Sequence, residues 1–584
     1  MSKKKKNNPQ QQEVSKNKLQ KRKTGVTDKK KIWMALGGIL LLTLIAYLPS
    51  LSNSFVNLDD DRYVENNQLI RAIDLKLFFS TFQVMGNYHP LVLFVYSIIY
   101  SFVQLDPKVY HLVNLCIHLV NTVLVLYVIL ELTDVFEIAV VVSLLFGIHP
   151  IHVESVAWVS ELKDLMYTAF FLLSLFYYIR YIKNDFKRKF FILSILFFFL
   201  SVLSKGMGVS LSIVLLLIDY FMGRKFNAKI FIEKIPFLIL SVIFGLVAIK
   251  AQQALGAVQD IALFSIPQRL VFACYGFITY IWKLIIPVQL SAYYPYPAKT
   301  GESIPAMFYG YPLIVIALLT AVYFSIKKSN KVFFGIGFYA VTVALVLQLI
   351  PVGGAIIADR YSYIPSIGIL LLFAYGLYEL YKSTAYKTIG TALLVLMTGC
   401  YTYMTYQRTQ VWKDGMTLWS DVIDKGNEVA LAYNNRGVLY KQEGELDKAM
   451  KDYKHSLQLN PVNEDTWSNI GLIFWQEGLK RPNQKQMFND TAMYYLNKAI
   501  SINPEFSTAY SNRGSVRSTM GDSNGALEDY TKSIQLDPNF NDAYYNRGIV
   551  YYNLGRKGEA CNDLRQAAAL GHAIAPNAVR DLCK

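Results

Sequence analysis

A succession of apolar runs from Ile32 to Tyr406 most limits what this chain can fold into. Of the 584 residues, 53% are hydrophobic and 17% are charged, whereas soluble domains use about a quarter of their positions for charged residues. A single soluble domain is therefore excluded. After Gln407 the sequence becomes polar with a helical period, so we predict an all-α chain in which a polytopic membrane domain precedes a soluble helical domain.

The apolar runs predict eleven membrane spans. They are 32–48, 111–130, 137–150, 165–182, 190–204, 209–222, 235–250, 311–326, 332–350, 363–381 and 388–404. Several are shorter than the ~20 residues that a spanning helix needs. Two further stretches, 89–104 and 270–287, are ambiguous from hydropathy alone.

Charge assigns an orientation to these spans. Residues 1–31 carry +10 of the total net charge of +16, and such a basic tail beside an apolar run belongs on the cytoplasmic side of a membrane. We read the first run as a retained signal anchor. The tail has no aromatic residue for base stacking, so nucleic-acid binding is not expected.

The later basic runs should share the cytoplasmic side with this tail. They are 183–189, 224–234, 327–331 and 382–387. An even number of crossings must separate neighbouring runs, which makes 89–104 an interfacial helix and 270–287 a non-crossing element. Eleven crossings then place the C-terminal half outside the cytoplasm. We expect the membrane to be a bacterial inner membrane.

The C-terminal half repeats. Gly437, Gly471, Gly514 and Gly548 are separated by 34, 43 and 34 residues. Counted from each unit's start, this Gly is at position 8, an Ala is at 20, an aromatic residue or Leu is at 24, and a small residue is at 27. This is the tetratricopeptide repeat pattern.

The predicted domains follow from these boundaries. They are a cytoplasmic tail (1–31), a membrane domain (32–406), a capping helix (407–429), four repeats (430–574) and a C-terminal cap (575–584). Of the five cysteines, only Cys561 and Cys583 lie where they could pair, and the sequence leaves open whether they do.

Three adjacent carboxylates, Asp59, Asp60 and Asp61, follow the first span on the predicted outer side. Their mutual repulsion favours binding of a cation or a raised affinity for a proton. The alternative is a solvated turn with helix-capping aspartates.

A second outer segment holds His149, His152, Glu154, Glu161, Lys163 and Asp164. Ionisable groups between apolar helices are costly unless they face a cavity or one another, so this segment is a candidate functional site. The two histidines could share a metal, although Pro150 lies between them. The other interpretation is an ordinary interfacial loop.

Further polar residues fall on the same predicted side. Lys205 precedes a glycine and could bind a phosphate or extend to the membrane surface, and Arg360 provides another cation. Tyr294 and Tyr296, in an aromatic loop, could stack on a sugar or belong to the interfacial aromatic belt.

Five segments of the chain resemble the transmembrane and tetratricopeptide-repeat-containing family of O-mannosyltransferases, including its bacterial members. They are 55–60, 145–164, 203–205, 294–297 and 358–366. The run from His149 to Ser155 is the most specific. The resemblance covers nearly the whole chain in order.

The resemblance implies a glycosyltransferase of the GT-C fold that transfers a mannose-like sugar from a polyprenyl-phosphate donor to protein hydroxyl groups outside the cytoplasm. It places Asp59 or Asp60 as catalytic base or metal ligand, with a divalent cation as an option. The other expected roles, by residue, are catalysis (Glu154, Asp164), donor-phosphate binding (Lys163, Lys205, Arg360) and substrate binding (His152, Tyr294, Tyr296).

The repeats are expected to bind the protein acceptor. Asparagine and arginine recur just before the position-8 glycine, at Asn512, Arg513, Asn546 and Arg547. They either hold an extended peptide or reflect repeat duplication alone. Two alternatives to the enzyme remain: a non-catalytic membrane scaffold whose repeats recruit partners, and a transporter, for which no mid-span charge marks a path.

Overall fold

Helices build both halves of the chain in the computed structural model, which describes residues 29–81, 86–254, 264–297, 302–350 and 353–583. In the N-terminal part they are α1 (Lys29–Tyr47), α2 (Leu75–Ser80), α3 (Pro90–Val103), α4 (Pro107–Thr133), α5 (Phe136–Gly147), α6 (Val153–Ala157), α7 (Leu162–Lys183), α8 (Arg188–Ser204), α9 (Leu211–Phe221), α10 (Ala228–Ala254), α11 (Ile266–Ile285), α12 (Tyr311–Ile326), α13 (Asn330–Val343), α14 (Ser366–Lys382) and α15 (Lys387–Val411). Two short antiparallel strands, β1 (Tyr294–Pro295) and β2 (Ala355–Ile357), join the loops after α11 and α13.

The C-terminal part is a series of helix pairs. Its helices are α16 (Gly415–Asp424), α17 (Ala430–Gln442), α18 (Leu446–Leu459), α19 (Glu464–Lys480), α20 (Lys485–Ile502), α21 (Ser507–Thr519), α22 (Ser523–Leu536), α23 (Asn541–Asn553), α24 (Lys557–Ala569) and α25 (Ala575–Leu582). The predicted all-α class is therefore confirmed.

Two compact units divide the chain. The first runs to Phe55 and continues with Arg62–Glu65 and Ala72–Lys413. The second combines Val56–Asp61 and Asn66–Arg71 with the chain from Asp414 onward. The boundary therefore lies a few residues beyond the predicted 406/407, since α15 continues to Val411, and parts of the first loop belong to the repeat-containing unit.

Five described helices are long and apolar enough to cross a membrane. They are Lys29–Ser52, Pro107–Thr133, Val159–Lys183, Ala228–Gln253 and Ala306–Ile326. The pair Phe136–Gly147 and Pro150–Ala157 meets the same criterion together but is bent by 50°. Each of the eleven predicted spans coincides with a helix, and the number of crossings stays a prediction.

Close helix packing in the first unit depends on small residues, as in membrane proteins generally. Ser174 on α7 and Ser194 on α8 each donate a hydroxyl hydrogen bond to the other's backbone carbonyl, at 2.7 and 2.9 Å. Gly335 on α13 faces Gly368 on α14, where a Cβ on Gly335 would meet the Gly368 carbonyl at 2.9 Å. These contacts bring α7 to α8 and α13 to α14.

The helix pairs of the second unit follow the predicted repeat. A Cβ at Gly437 would meet the ring of Tyr453, the residue at position 24, at 2.7 Å, and Gly514 stands in the same relation to Tyr530 at 3.0 Å. The second repeat has nine additional residues, and both of its helices are longer. They have 17 and 18 residues, whereas the helices of the first repeat have 13 and 14.

A disulfide joins Cys561 on α24 to Cys583 after α25. It links the C-terminal helix to the last repeat across a sequence separation of 22 residues. The pairing that the sequence left open is therefore present in the structure.

Candidate active site

Six charged side chains meet in the first unit, and we call them the ion cluster. They are Glu154, Glu161, Lys163, Asp164, Lys205 and Arg360. Glu154 lies on α6, the next three lie at the start of α7 or in the 3-10 turn before it, Lys205 follows α8, and Arg360 lies in the 3-10 turn before α14. Two 3-10 turns, the short helix α6, the start of α7 and the residue after α8 thus supply the cluster.

Glu161 is the centre of the cluster because all three cations approach its carboxylate. Lys163 Nζ lies 3.0 Å and Arg360 Nε 3.4 Å from Oε1, while Lys205 Nζ lies 3.6 Å from Oε2. The Glu161 side chain is only 2% exposed. A buried carboxylate needs such partners to stay ionised.

Each remaining carboxylate has its own cation. The Arg360 guanidinium pairs with Glu154, whose other oxygen accepts the Arg360 backbone N–H at 3.1 Å. Lys205 pairs with Asp164. Burial acts to lower the pKa of Lys205, but Asp164 and Glu161 outweigh burial and raise the pKa above its usual value.

The cluster contains three basic and three acidic side chains, so its formal charges balance. Arg360 and Lys205 have the most exposed cationic side chains, at 20% and 10%. An anionic ligand would bind by taking over a carboxylate's place beside one of these cations. Phosphate suits this exchange because Arg and Lys bind it with charge-assisted hydrogen bonds.

Aromatic rings surround the cations. Lys163 Nζ lies 4.6 Å from the ring centre of Tyr63 and 5.5 Å from that of Trp158. The Arg360 guanidinium carbon lies 4.7 Å from the ring centre of Tyr361. Cation–π contacts of this kind hold charged groups in place where water is excluded.

The two histidines of the second outer segment are held by protein atoms. His149 Nε2 lies 3.0 Å from the Leu284 carbonyl, and His149 Nδ1 accepts the Ile151 N–H. His152 lies 2.9 Å from the Phe146 carbonyl and 3.1 Å from the Ser366 hydroxyl. Because both nitrogens of each ring are engaged, a shared metal is not supported. His152 ends the 3-10 turn directly before α6, the helix that carries Glu154.

The aromatic loop is tied to the cluster through Asp359. The Tyr294 hydroxyl donates to Asp359 Oδ1 at 2.8 Å, next to Arg360, and lies 3.1 Å from Lys283 Nζ. Burial and the neighbouring Asp359 raise the pKa of Tyr294 well above its usual value. The ring of Tyr296 packs against Phe264 at 4.9 Å.

The first-loop aspartates differ in their surroundings. Asp60 is 1% exposed, and its Oδ2 accepts the Val56 N–H at 3.0 Å, so its carboxylate closes the turn. Asp59 and Asp61 are partly exposed. Within the ranges that the structure describes, no group of three His, Cys, Asp or Glu side chains is arranged to hold a metal ion, and the optional divalent cation stays a prediction.

Sequence reasoning missed two members of this region. Glu161 was one of several ionisable residues with no assigned role, although all three cations converge on it. His89, which precedes Pro90 at the start of α3, is 2% exposed, and neither ring nitrogen has a hydrogen-bond partner among the described residues. Burial, together with Lys163 and Lys205, lowers the pKa of His89 to about 3, so the ring is neutral.

In the repeats, the recurring arginines form ion pairs within their own helix pair. Arg513 binds Asp529 through Nε and Nη2, at 2.9 and 2.6 Å, and Arg547 binds Asp563 at 2.7 and 2.9 Å. Asn512 Nδ2 donates to the Ser468 hydroxyl at 3.0 Å. The contacts explain the recurrence of arginine by the architecture of the repeat.

Known proteins resemble both the N-terminal part and the repeats of this chain. Tetratricopeptide repeat family models match residues 430–463 and 542–570, and a TPR repeat model matches 519–555. A protein O-mannosyl-transferase of Caenorhabditis elegans is 27% identical over 453 residues, which cover 73% of this chain and 63% of the relative. Curated relatives that align with about three quarters of this chain are protein O-mannosyl-transferases, and those of the human TMTC family are among them.

Two human relatives extend this similarity. The protein O-mannosyl-transferases TMTC3 and TMTC1 are each 22% identical, over 73% and 74% of this chain. The chain spans 52% and 55% of their lengths. Among solved structures, a thermophilic TPR protein of Thermus thermophilus is 16% identical with a TM-score of 0.26, covering 31% of this chain and 91% of that chain.

Proposed function

We propose that the protein is a membrane glycosyltransferase that moves a mannose-type sugar from a polyprenyl-phosphate donor to protein hydroxyl groups. One observation carries the proposal. All six residues of the ion cluster come from 145–164, 203–205 and 358–366, which are three of the five segments that resemble the O-mannosyltransferases. The structure thus gathers those segments into one buried charged site.

In this reaction the acceptor hydroxyl oxygen attacks the anomeric carbon, the bond from that carbon to the phosphate oxygen breaks, and the anomeric centre inverts. A base takes the hydroxyl proton. We assign the base to Asp59, because the carboxylate of Asp60 already accepts the Val56 N–H and is buried.

The departing phosphate gains negative charge, and fixed cations stabilise that charge most where water is excluded. Arg360 and Lys205, the more exposed cations of the cluster, are the proposed phosphate ligands. Lys163 pairs with Glu161, the carboxylate that Arg360 and Lys205 also approach, and so helps to hold these two cations in place. His89, neutral and without a partner among the described residues, offers a further hydrogen bond to the donor.

The proposed location is an integral membrane protein with a cytoplasmic N-terminus and extracytoplasmic repeats. The disulfide between Cys561 and Cys583 supports this side for the repeats, because disulfides persist in oxidising compartments and are rare in the cytosol. The basic loops support the opposite side for the N-terminal tail.

Cysteine labelling tests this orientation. In a background without Cys116, Cys274 and Cys400, an impermeant maleimide added to intact cells is expected to label Ser303→Cys and to leave Lys328→Cys unlabelled, since the two exposed sites lie on either side of α12. A reporter active only outside the cytoplasm, fused after residue 584, should be active. A labelled Lys328→Cys with an inactive reporter would reverse the orientation.

The repeats are proposed to bind the protein acceptor. Asn435, at position 6 of the first repeat, donates its side-chain amide to the backbone carbonyl of Asn57 at 3.2 Å. The same position in the last two repeats holds Asn512 and Asn546. The first repeat thus shows that an asparagine at this position can bind main chain.

Replacing Asn546 with Ala, alone and together with Asn512→Ala, is expected to weaken modification of protein acceptors. Hydrolysis of the lipid donor by water should stay unchanged, because no acceptor takes part in it. Initial rates for a protein acceptor and for donor hydrolysis would be compared in one preparation. An equal loss of both rates would show that these asparagines support folding and not acceptor binding.

A further inference from the structure

Part of the first loop is built into the repeat-containing unit, and Asn57 makes the central contacts. Trp419 Nε1 donates to Asn57 Oδ1 at 2.8 Å. Asn435 Nδ2 donates to the Asn57 carbonyl at 3.2 Å, and Asn57 Nδ2 donates to the Asn435 carbonyl at 3.1 Å. Three hydrogen bonds therefore fix both the side chain and the backbone of Asn57.

These contacts occur in a packed environment. Trp419 is fully buried, and Asn57 lies so close to Gly415 that a Cβ at that position would clash with the Asn57 amide. A second contact lies at the other end of the array, where a Cβ at Gly571 would meet the Gln68 amide at 2.7 Å. The loop thus contacts the beginning and the end of the repeats.

The anchored residue lies two positions before Asp59. The Leu58 N–H donates to the Val56 carbonyl at 2.8 Å, and the Val56 N–H donates to Asp60. The backbone from Val56 to Asp60 therefore forms one closed turn. Whatever fixes Asn57 also fixes the direction of the aspartates.

We propose that the repeat-containing unit positions the catalytic loop, with Asn57, Trp419 and Asn435 as positioning residues for Asp59. The inference rests on the proposed function, since it takes Asp59 as the base. It gives the repeats a role in every transfer, including transfer to acceptors too small to contact them. Recruitment of proteins alone requires no such role.

The test uses the full-length protein, a polyprenyl-phosphate-mannose donor and a threonine-containing tripeptide, which is too short to span the repeats. Trp419→Phe keeps the buried ring and removes the Nε1–H donor. We expect the turnover number to fall about 10-fold or more, because small misplacements of reacting groups are costly, while KM for the tripeptide stays unchanged. The acid limb of the pH–rate profile should also shift, because the surroundings of the base change.

Trp467→Phe is the matched control. Its Nε1 donates to the Pro461 carbonyl at 2.8 Å within the repeats, far in sequence from the loop contacts, so tripeptide transfer should remain at the wild-type rate. Asn435→Ser is the second test variant. It removes the hydrogen bond to the Asn57 carbonyl without disturbing the buried ring, and it decides the matter if Trp419→Phe does not accumulate.

The outcomes are distinct. If the wild-type protein transfers no sugar to the tripeptide or to any protein acceptor, the proposed function fails. If wild-type transfer occurs and both test variants keep its turnover number and pH profile, the positioning role is wrong. A loss confined to large protein acceptors would also overturn it, since the repeats would then only recruit.

Discussion

Replacing Asp59 with Asn is expected to lower the turnover number for sugar transfer about 10²- to 10⁴-fold, the usual contribution of a general base. Asparagine keeps the size and polarity of the side chain but cannot take the hydroxyl proton. Asp59 is partly exposed, so the free energy of unfolding should change by no more than about 0.5 kcal/mol. Transfer to a peptide acceptor and thermal stability would be measured on the same purified protein.

Asp74→Asn is the matched control for this charge change. Asp74 caps α2 by accepting the Leu77 N–H at 3.0 Å on the exposed surface, and asparagine caps helices about equally well. Activity of this variant should equal that of the wild type. Full activity in Asp59→Asn with loss in Asp60→Asn would move the base to Asp60, and full activity in both would remove the base from this loop.

Replacing Arg360 with Lys is expected to raise KM for the donor and to lower the turnover number. Lysine keeps the positive charge but loses the planar fork that binds Glu154 while approaching Glu161. A hydrogen bond to a charged group contributes about 1.5–3 kcal/mol, so we expect a loss in kcat/KM of about 10- to 100-fold. Donor titrations at saturating acceptor would measure both parameters.

Arg180→Lys is the corresponding control. Arg180 pairs with Glu131 at 3.0 Å in the same unit but outside the cluster, with a side chain that is 42% exposed. Exposed pairs contribute little, so KM for the donor should not change. If Arg360→Lys binds the donor as the wild type does, Arg360 serves the packing of its loop and does not contact the phosphate.

The helices could be predicted from the sequence because their signals are local. Each predicted apolar span coincides with a helix, and the spacing of the position-8 glycines predicted the repeat pairs. Gly437 packs against Tyr453 for the reason that the spacing suggests, namely that a side chain at position 8 would separate the two helices. Local periodicity contains this information in full.

The centre of the site could not be predicted in the same way. Glu154 and Arg360 are 206 residues apart in sequence. No local pattern indicates that three cationic side chains approach the carboxylate of Glu161. No local pattern indicates that His89 is buried, because its burial depends on packing against Tyr63, with ring centres 5.3 Å apart. Such pairings arise from tertiary packing.

The sequence also does not indicate that parts of the first loop belong to the second compact unit. Asn57 and Asn435 are 378 residues apart, and Asn57 belongs to a loop that hydropathy assigns to the membrane domain. A short polar segment carries no periodicity by which its partner could be recognised. The recurrence of arginine before the position-8 glycine suggested an acceptor surface, but the same recurrence satisfies the ion pair of Arg513 with Asp529.

The most direct test of the central claim is the mass of an acceptor peptide after incubation with the purified full-length protein and a polyprenyl-phosphate-mannose donor. The proposed function predicts a gain of one hexose on a serine or threonine. The modified fraction should be strongly reduced with the Asp59→Asn variant and equal to the wild-type level with the control variant Asp74→Asn. An unmodified peptide with the wild-type protein, across acceptors that include extracytoplasmic proteins from the same cells, would contradict the claim.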